Sequence, residues 1–84
     1  MFTLIHPTKK HLAALFVEVE SESERAIKFK VVDCPKVSLW FPKKALKVNR
    51  DDDGDIESYE LEFWFKLESF ALGIFGNYAN HYRI

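Results

Sequence analysis

Leu15-Phe16-Val17-Glu18-Val19-Glu20 and Ala26-Ile27-Lys28-Phe29-Lys30-Val31 are the two runs whose reading decides the fold. In the first, Leu15, Val17 and Val19 alternate with Glu18 and Glu20. In the second, Ile27, Phe29 and Val31 alternate with Lys28 and Lys30. A strand with one buried face requires this two-residue period, because successive side chains leave it on opposite sides. The intervening Ser21-Glu22-Ser23-Glu24 is too polar to be covered and reads as a loop. The pair therefore predicts a hairpin whose Glu and Lys faces meet as favourable cross-strand pairs.

Working outward, Asp33-Cys34-Pro35 reads as a turn. Val37, Leu39 and Phe41 then alternate with Ser38 and Trp40 in a third strand that Pro42 ends, since proline cannot donate to a ladder. Lys43-Lys44-Ala45-Leu46 fits one helical turn with proline at its first position. Lys47-Val48-Asn49 reads as extended, and Asp51-Asp52-Asp53-Gly54-Asp55 as a loop with Gly54 available for positive φ. Tyr59, Leu61 and Phe63 alternate with Glu60 and Glu62, which predicts a strand to about Phe63. A helix is expected from about Trp64, with Gly73 capping its end. At the N-terminus, Phe2-Thr3-Leu4-Ile5 reads as a short strand stopped by Pro7, with Thr8 capping a brief turn. The expected fold class is α+β. A small antiparallel sheet of four to five strands carries a C-terminal helix packed on it, in one domain spanning 1–84.

Composition agrees with that size. The chain has 84 residues, 48% of them hydrophobic, with eight Phe, three Tyr and two Trp. A domain this small buries a limited share of its surface, and the aromatic rings compensate. Cys34 is the only cysteine, so no disulfide can form within one chain. No stretch approaches the roughly 20 apolar residues of a membrane span. Lys9, Lys10 and His11 interrupt the N-terminal segment, so it does not read as a signal peptide. The expected location is the cytoplasm of a bacterial host, with no membrane partner.

The formal charge of −1 hides an asymmetry. Residues 25–50 hold Arg25, Lys28, Lys30, Lys36, Lys43, Lys44, Lys47 and Arg50 against Asp33 alone. Residues 51–68 hold Asp51, Asp52, Asp53, Asp55, Glu57, Glu60, Glu62 and Glu68 against Lys66. Two readings stand side by side. Neighbouring strands neutralise each other, or the basic block is a binding face. In the second reading Lys28, Lys30, Trp40, Lys43, Lys44, Lys47 and Arg50 bind a protein or single-stranded nucleic acid, cations tracking phosphates and the Trp40 ring stacking on a base.

Ala26-Ile27-Lys28-Phe29, followed by Val37-Ser38-Leu39-Trp40-Phe41-Pro42-Lys43, resembles a group of small phage- and plasmid-encoded proteins of unassigned role. In these, a strand ends in Trp-x-Pro-Lys, and an acidic turn, a further strand and a Trp-initiated helix ending at Gly-Leu follow. Glu62-Phe63-Trp64-Phe65 and Leu72-Gly73 stand in those later places, so the resemblance covers roughly residues 25–74. The chain departs from the pattern at Lys44, where a small hydroxyl residue is usual, in its long linking turn, and in the reversed Leu72-Gly73. The resemblance implies a mobile-element setting and a small β-sheet, not a reaction.

Asn49 to Glu60 also matches a calcium loop. Asn49, Asp51, Asp53 and Asp55 fall at ligand positions, Gly54 at the sharp turn and Glu60 at the bidentate twelfth place. An EF-hand needs a helix entering this loop, and Pro42 with the strand-like 37–41 run opposes one. His6, His11 and His81 have no metal-ligand spacing, and Cys34 has no neighbouring His. No nucleophile motif or phosphate loop appears, so no enzyme activity and no cofactor are expected. The leading expectation is a protein–protein interaction module of phage or plasmid origin that inhibits or redirects a host protein. Single-stranded nucleic-acid binding and the calcium loop are the alternatives. In the tail, Phe75, Tyr78 and Tyr82 read as interface residues of a homodimer, against the alternative that the tail folds over its own sheet.

Overall fold

The computed structural model describes residues 1–83. Seven strands and one helix follow in chain order: β1 Phe2–Pro7, β2 His11–Glu22, β3 Ala26–Val31, β4 Ser38–Pro42, β5 Leu46–Arg50, β6 Ile56–Leu61, α1 Ser69–Tyr78 and β7 Asn80–Arg83. A 3₁₀ turn, Lys43–Ala45, joins β4 to β5. The strands form one mixed sheet in the order β4-β3-β2-β1-β6-β5, with β7 added beside β2. The class is α+β, but the sheet is larger than expected and not purely antiparallel, because β1 and β6 run parallel. Among the described residues no helix is long and apolar enough to cross a membrane.

The alternating runs form the expected hairpin. Val17 pairs with Val31, Glu18 with Lys30 and Val19 with Phe29. The polar stretch expected to be a loop is largely strand, however, and β2 continues to Glu22. A bulge between Val19 and Ser21 makes this possible. One extra residue keeps Glu20 and Ser21 both outside and returns Glu22 opposite Ile27. Only residues 23–25 turn the chain, with the Ser23 and Ala26 backbones bonded at 2.8 Å.

The sheet curls strongly. Phe29 on β3 and Tyr59 on β6 are three strand steps apart, which in a flat sheet is about 14 Å at the usual inter-strand spacing. Their ring centroids lie 5.0 Å apart in an edge contact. The connection enforces this: β4 and β5 are the two ends of the strand order, yet only three residues separate them. The Ala45 carbonyl also accepts the Glu62 N–H at 2.8 Å, fastening the turn to the end of β6. The concave side encloses Leu4, Leu15, Val17, Phe29, Val31, Phe41, Tyr59 and Leu61. Burial is what raises the Tyr59 hydroxyl above the usual tyrosine range, with the Glu22 charge adding to it.

Residues 62–68 and α1 close the open end. A helix from Trp64 is not what forms: the chain stays irregular to Glu68, with Phe65 edge-on to Phe41 at 5.9 Å and Leu67 packed on the core. The segment must cross the end of the curled sheet before a helix can lie on it. Gly73 does not cap that helix, which continues to Tyr78 because Ala71, Ile74 and Phe75 bury a stripe at the spacing of one helical face. Beyond Ala79 the tail folds back as β7 on the edge of β2, pairing Ala14 with Asn80 and His11 with Arg83.

Candidate functional site

Strand β4 forms one end of the sheet, so one of its sides has no neighbouring strand. The Val31 N–H bonds the Val37 carbonyl at 3.0 Å, and the Lys43 N–H bonds the Arg25 carbonyl at 2.7 Å. Odd-numbered positions along this stretch therefore face β3. By the alternation of an antiparallel ladder, the N–H and C=O groups of Ser38 and Trp40, and the Pro42 carbonyl, point away from it. Among the described residues nothing on the backbone pairs with them. Beside this edge runs a groove of about 290 Å³, walled by Leu39, Trp40 and Phe41 on one side and by Phe65, Leu67 and Phe70 on the other. Trp40 is 51% exposed and Phe70 53%, each a large apolar ring left in water. Trp64 packs against Phe65, with centroids 6.2 Å apart, while Phe63, 88% exposed, borders a separate hollow beside His6 and Pro7. Contiguous exposed apolar surface on a small domain marks a place where something binds.

The basic residues singled out in the sequence are scattered by the fold, and most are already answered. On the convex face Lys28 lies 3.2 Å from Glu20 and Lys30 3.6 Å from Glu18, while Lys43 meets Glu22 at 2.7 Å on the face that Glu22 shares with Ile27. Glu20 also accepts the Ser38 hydroxyl at 2.7 Å. That bond, then Lys28, holds its carboxyl below the usual glutamate range. The Lys28 ammonium sits 5.9 Å from the Trp40 ring centroid, inside the range of a cation–π contact. Arg50 donates to the Gly54 carbonyl at 2.8 Å, and Lys47 stands opposite Glu60 across β5 and β6. Lys44 is exposed beside Arg25 and Glu24 at the far end of β4. Only Trp40 and its neighbours on β4 come together as a surface; a continuous basic face does not form.

The calcium reading fails on its flanks. The loop connects β5 to β6, so no helix enters or leaves it. Asn49 lies in β5 and gives its amide to the Ser58 hydroxyl at 3.0 Å, while Glu60 lies in β6. Asp51 turns its carboxylate onto the loop's own backbone, accepting the Asp53 N–H at 3.0 Å and the Asp55 N–H at 2.9 Å. With Gly54 at φ 85°, this is a side-chain-stabilised hairpin turn. Among the described residues no group of three or more His, Cys, Asp or Glu side chains is placed to hold a metal.

The tail residues part company. Phe75 is 2% exposed and stacks obliquely on His6 at 5.5 Å, so its expected place at an interface is corrected: it is core, because β7 draws the helix down onto the sheet. Tyr78 sits beside Cys34, whose thiol raises the Tyr78 hydroxyl above its ordinary range. Tyr82 is exposed on β7 opposite Leu12. Sequence reasoning missed Phe65, Leu67 and Phe70 as groove residues. They fall in the stretch read as a helix from about Trp64, and nothing local marks them as the wall of a groove. Scans against protein-family models, curated proteins and solved structures find no match to this chain.

Proposed function

We propose that the chain is a non-catalytic protein–protein interaction module that takes an extended segment of a partner along β4. The observation that carries this is the coincidence of an unpaired strand edge with an apolar groove beside it. An extended peptide added to such an edge gains main-chain hydrogen bonds, and its alternate side chains fall into the groove. Here the edge offers the N–H and C=O of Ser38 and Trp40 and the carbonyl of Pro42; proline, lacking an N–H, limits the added strand to a short one. Trp40 and Phe70 are of the residue types that dominate binding energy at such contacts. The mobile-element setting implied by the Trp-x-Pro-Lys resemblance favours a host protein as the partner, with inhibition as the effect. Nucleic-acid binding by the 25–50 segment ranks below this reading, because Lys28, Lys30 and Lys43 already have carboxylate partners.

A displayed library of random peptides panned against the protein tests the reading. Selected peptides carry apolar residues at every second position, and on binding they protect the Ser38 and Trp40 amides from hydrogen exchange. Trp40→Ala lowers their affinity by about 2 kcal/mol, the scale of an interface hot spot, with thermal stability unchanged. Peptides that bind Trp40→Ala and Phe70→Ala as well as the parent would place the binding surface elsewhere.

A further inference from the structure

The chain's three histidines, spread over 75 residues of sequence, meet around one alanine. Ala13 on β2 pairs with His6 on β1 and with His81 on β7, and His11 lies two residues before it on the same strand face. The His11 and His81 rings stand 5.8 Å apart. Arg83 pairs with His11 across the strands, and Lys10 precedes it in the β1–β2 turn. Lys10, His11, His81, Tyr82 and Arg83 line a cavity of about 410 Å³ to which, among the described residues, no carboxylate contributes. Lys9 and His6 border the next hollow along, again without an acidic residue. The Lys residues of β3 all have glutamate neighbours; the cations here have none among the ion pairs of the described residues.

From this geometry we propose an anion site that takes a phosphate group. The arrangement opposes a metal dication, since Lys10 and Arg83 surround the two imidazoles, and it suits an oxyanion for the same reason. Arg83 supplies a planar fork matched to phosphate oxygens, and Lys10 a mobile ammonium. His11 is held ready by Thr8. The Thr8 hydroxyl donates to the His11 carbonyl at 2.8 Å, and its oxygen lies 3.1 Å from both the His11 N–H and the ring Nδ1. With its one hydrogen spent on the carbonyl, that oxygen accepts from Nδ1–H, which leaves Nε2 as the ring nitrogen open to a ligand. The imidazoles of His11 and His81 add ring N–H donors beside the two cations. The charged and titratable groups facing the imidazoles are Lys9 and Lys10 from the turn, His6 from β1 and Arg83 from β7. The helix brings only Phe75. A small phosphoester and the phosphodiester backbone of a nucleic acid share this chemistry.

The test is a titration of the full chain with inorganic pyrophosphate at one fixed pH, followed by amide and imidazole NMR signals. Shifts confined to Lys10, His11, His81 and Arg83 are expected. Arg83→Gln weakens binding about tenfold, the worth of one charge-assisted contact, and His81→Gln weakens it less; both side chains are exposed, so the amide spectrum elsewhere stays unchanged. Lys36→Gln, in the β3–β4 turn, binds as the parent does. Competition by an octathymidylate for the same signals supports the site with the phosphodiester as its source. Its failure to compete supports a small phosphoester. Shifts spread evenly over the lysines, or affinities indifferent to Arg83→Gln, would overturn the proposal.

Discussion

One edge of β2 is shared by two strands, and its two halves are unlike. Residues 17–22 face β3, and there Glu18, Glu20 and Glu22 each meet a lysine. Residues 11–14 face β7, and there His11 meets Arg83, base against base, with His81 beside them opposite Ala13. Beneath the first half lies the aromatic centre of the core; β7 itself is exposed along its whole length. The same strand thus carries a face made for stability at one end and, at the other, a charge that nothing in the described chain neutralises. Surface charge becomes available for binding where the fold leaves it unanswered, not where the sequence is richest in it.

The largest test of the contrast removes the centre of each half. Phe29→Ala, which empties the space between Val19, Phe41 and Tyr59, costs about 3–5 kcal/mol in denaturant unfolding, as large-to-small changes of buried rings do. Ending the chain after Ala79 removes β7 and its edge hydrogen bonds, at a cost of about 1–2 kcal/mol. A truncated chain that unfolds outright would break the distinction, by making β7 part of the cooperative core.

Acid separates the halves next. His6 packs against Phe75, and burial, then the charge of His11, lowers its pKa below 6.5. The unfolded chain therefore takes up a proton near pH 6.5 that the native chain takes up only at lower pH. Stability present above that value is lost as the pH falls through the folded pKa. The melting temperature at pH 5.5 should lie below that at pH 7.5, and His6→Phe should flatten the slope. Glu20 acts at lower pH. Its depressed pKa keeps its contribution intact above about 4.5, to be lost as pH falls through the native value. An unchanged slope in His6→Phe would locate the first acid response outside the β1–β2–β7 end.

The smallest effect sharpens the comparison most. A double-mutant cycle on Glu18 and Lys30, both well exposed, should return a coupling of about 0.2–1 kcal/mol that shrinks with salt. The same cycle on Lys10 and Arg83, which line one cavity, should return a coupling of opposite sign, since two cations repel. Equal signs in the two cycles would mean that the β7 end holds a compensating charge.

Much of the fold was legible because alternation is a local property. The inward set Val17, Ile27, Phe29, Leu39 and Phe41 follows from spacing alone, as do the turns at Pro42 and Gly54. The candidate groove was half legible: Trp40 stood out as an outward ring, whereas Phe65, Leu67 and Phe70 fell within the stretch expected to be helical. A seven-residue irregular crossing has no periodicity to betray it. The basic block misled because residues close in sequence point to opposite sides of a strand and acquire partners from strands far away.

By itself, then, the sequence determined the strands, which of their side chains face the core, and the turns between them. Each rests on steric and solvation preferences acting over a few neighbouring residues. The tertiary structure alone decided how far the sheet curls, where α1 begins and that the tail returns as β7. It also decided which lysines are neutralised and that His6, His11 and His81 meet around Ala13. These depend on contacts between segments tens of residues apart, whose free energy no local pattern records, because it exists only once the chain has closed on itself.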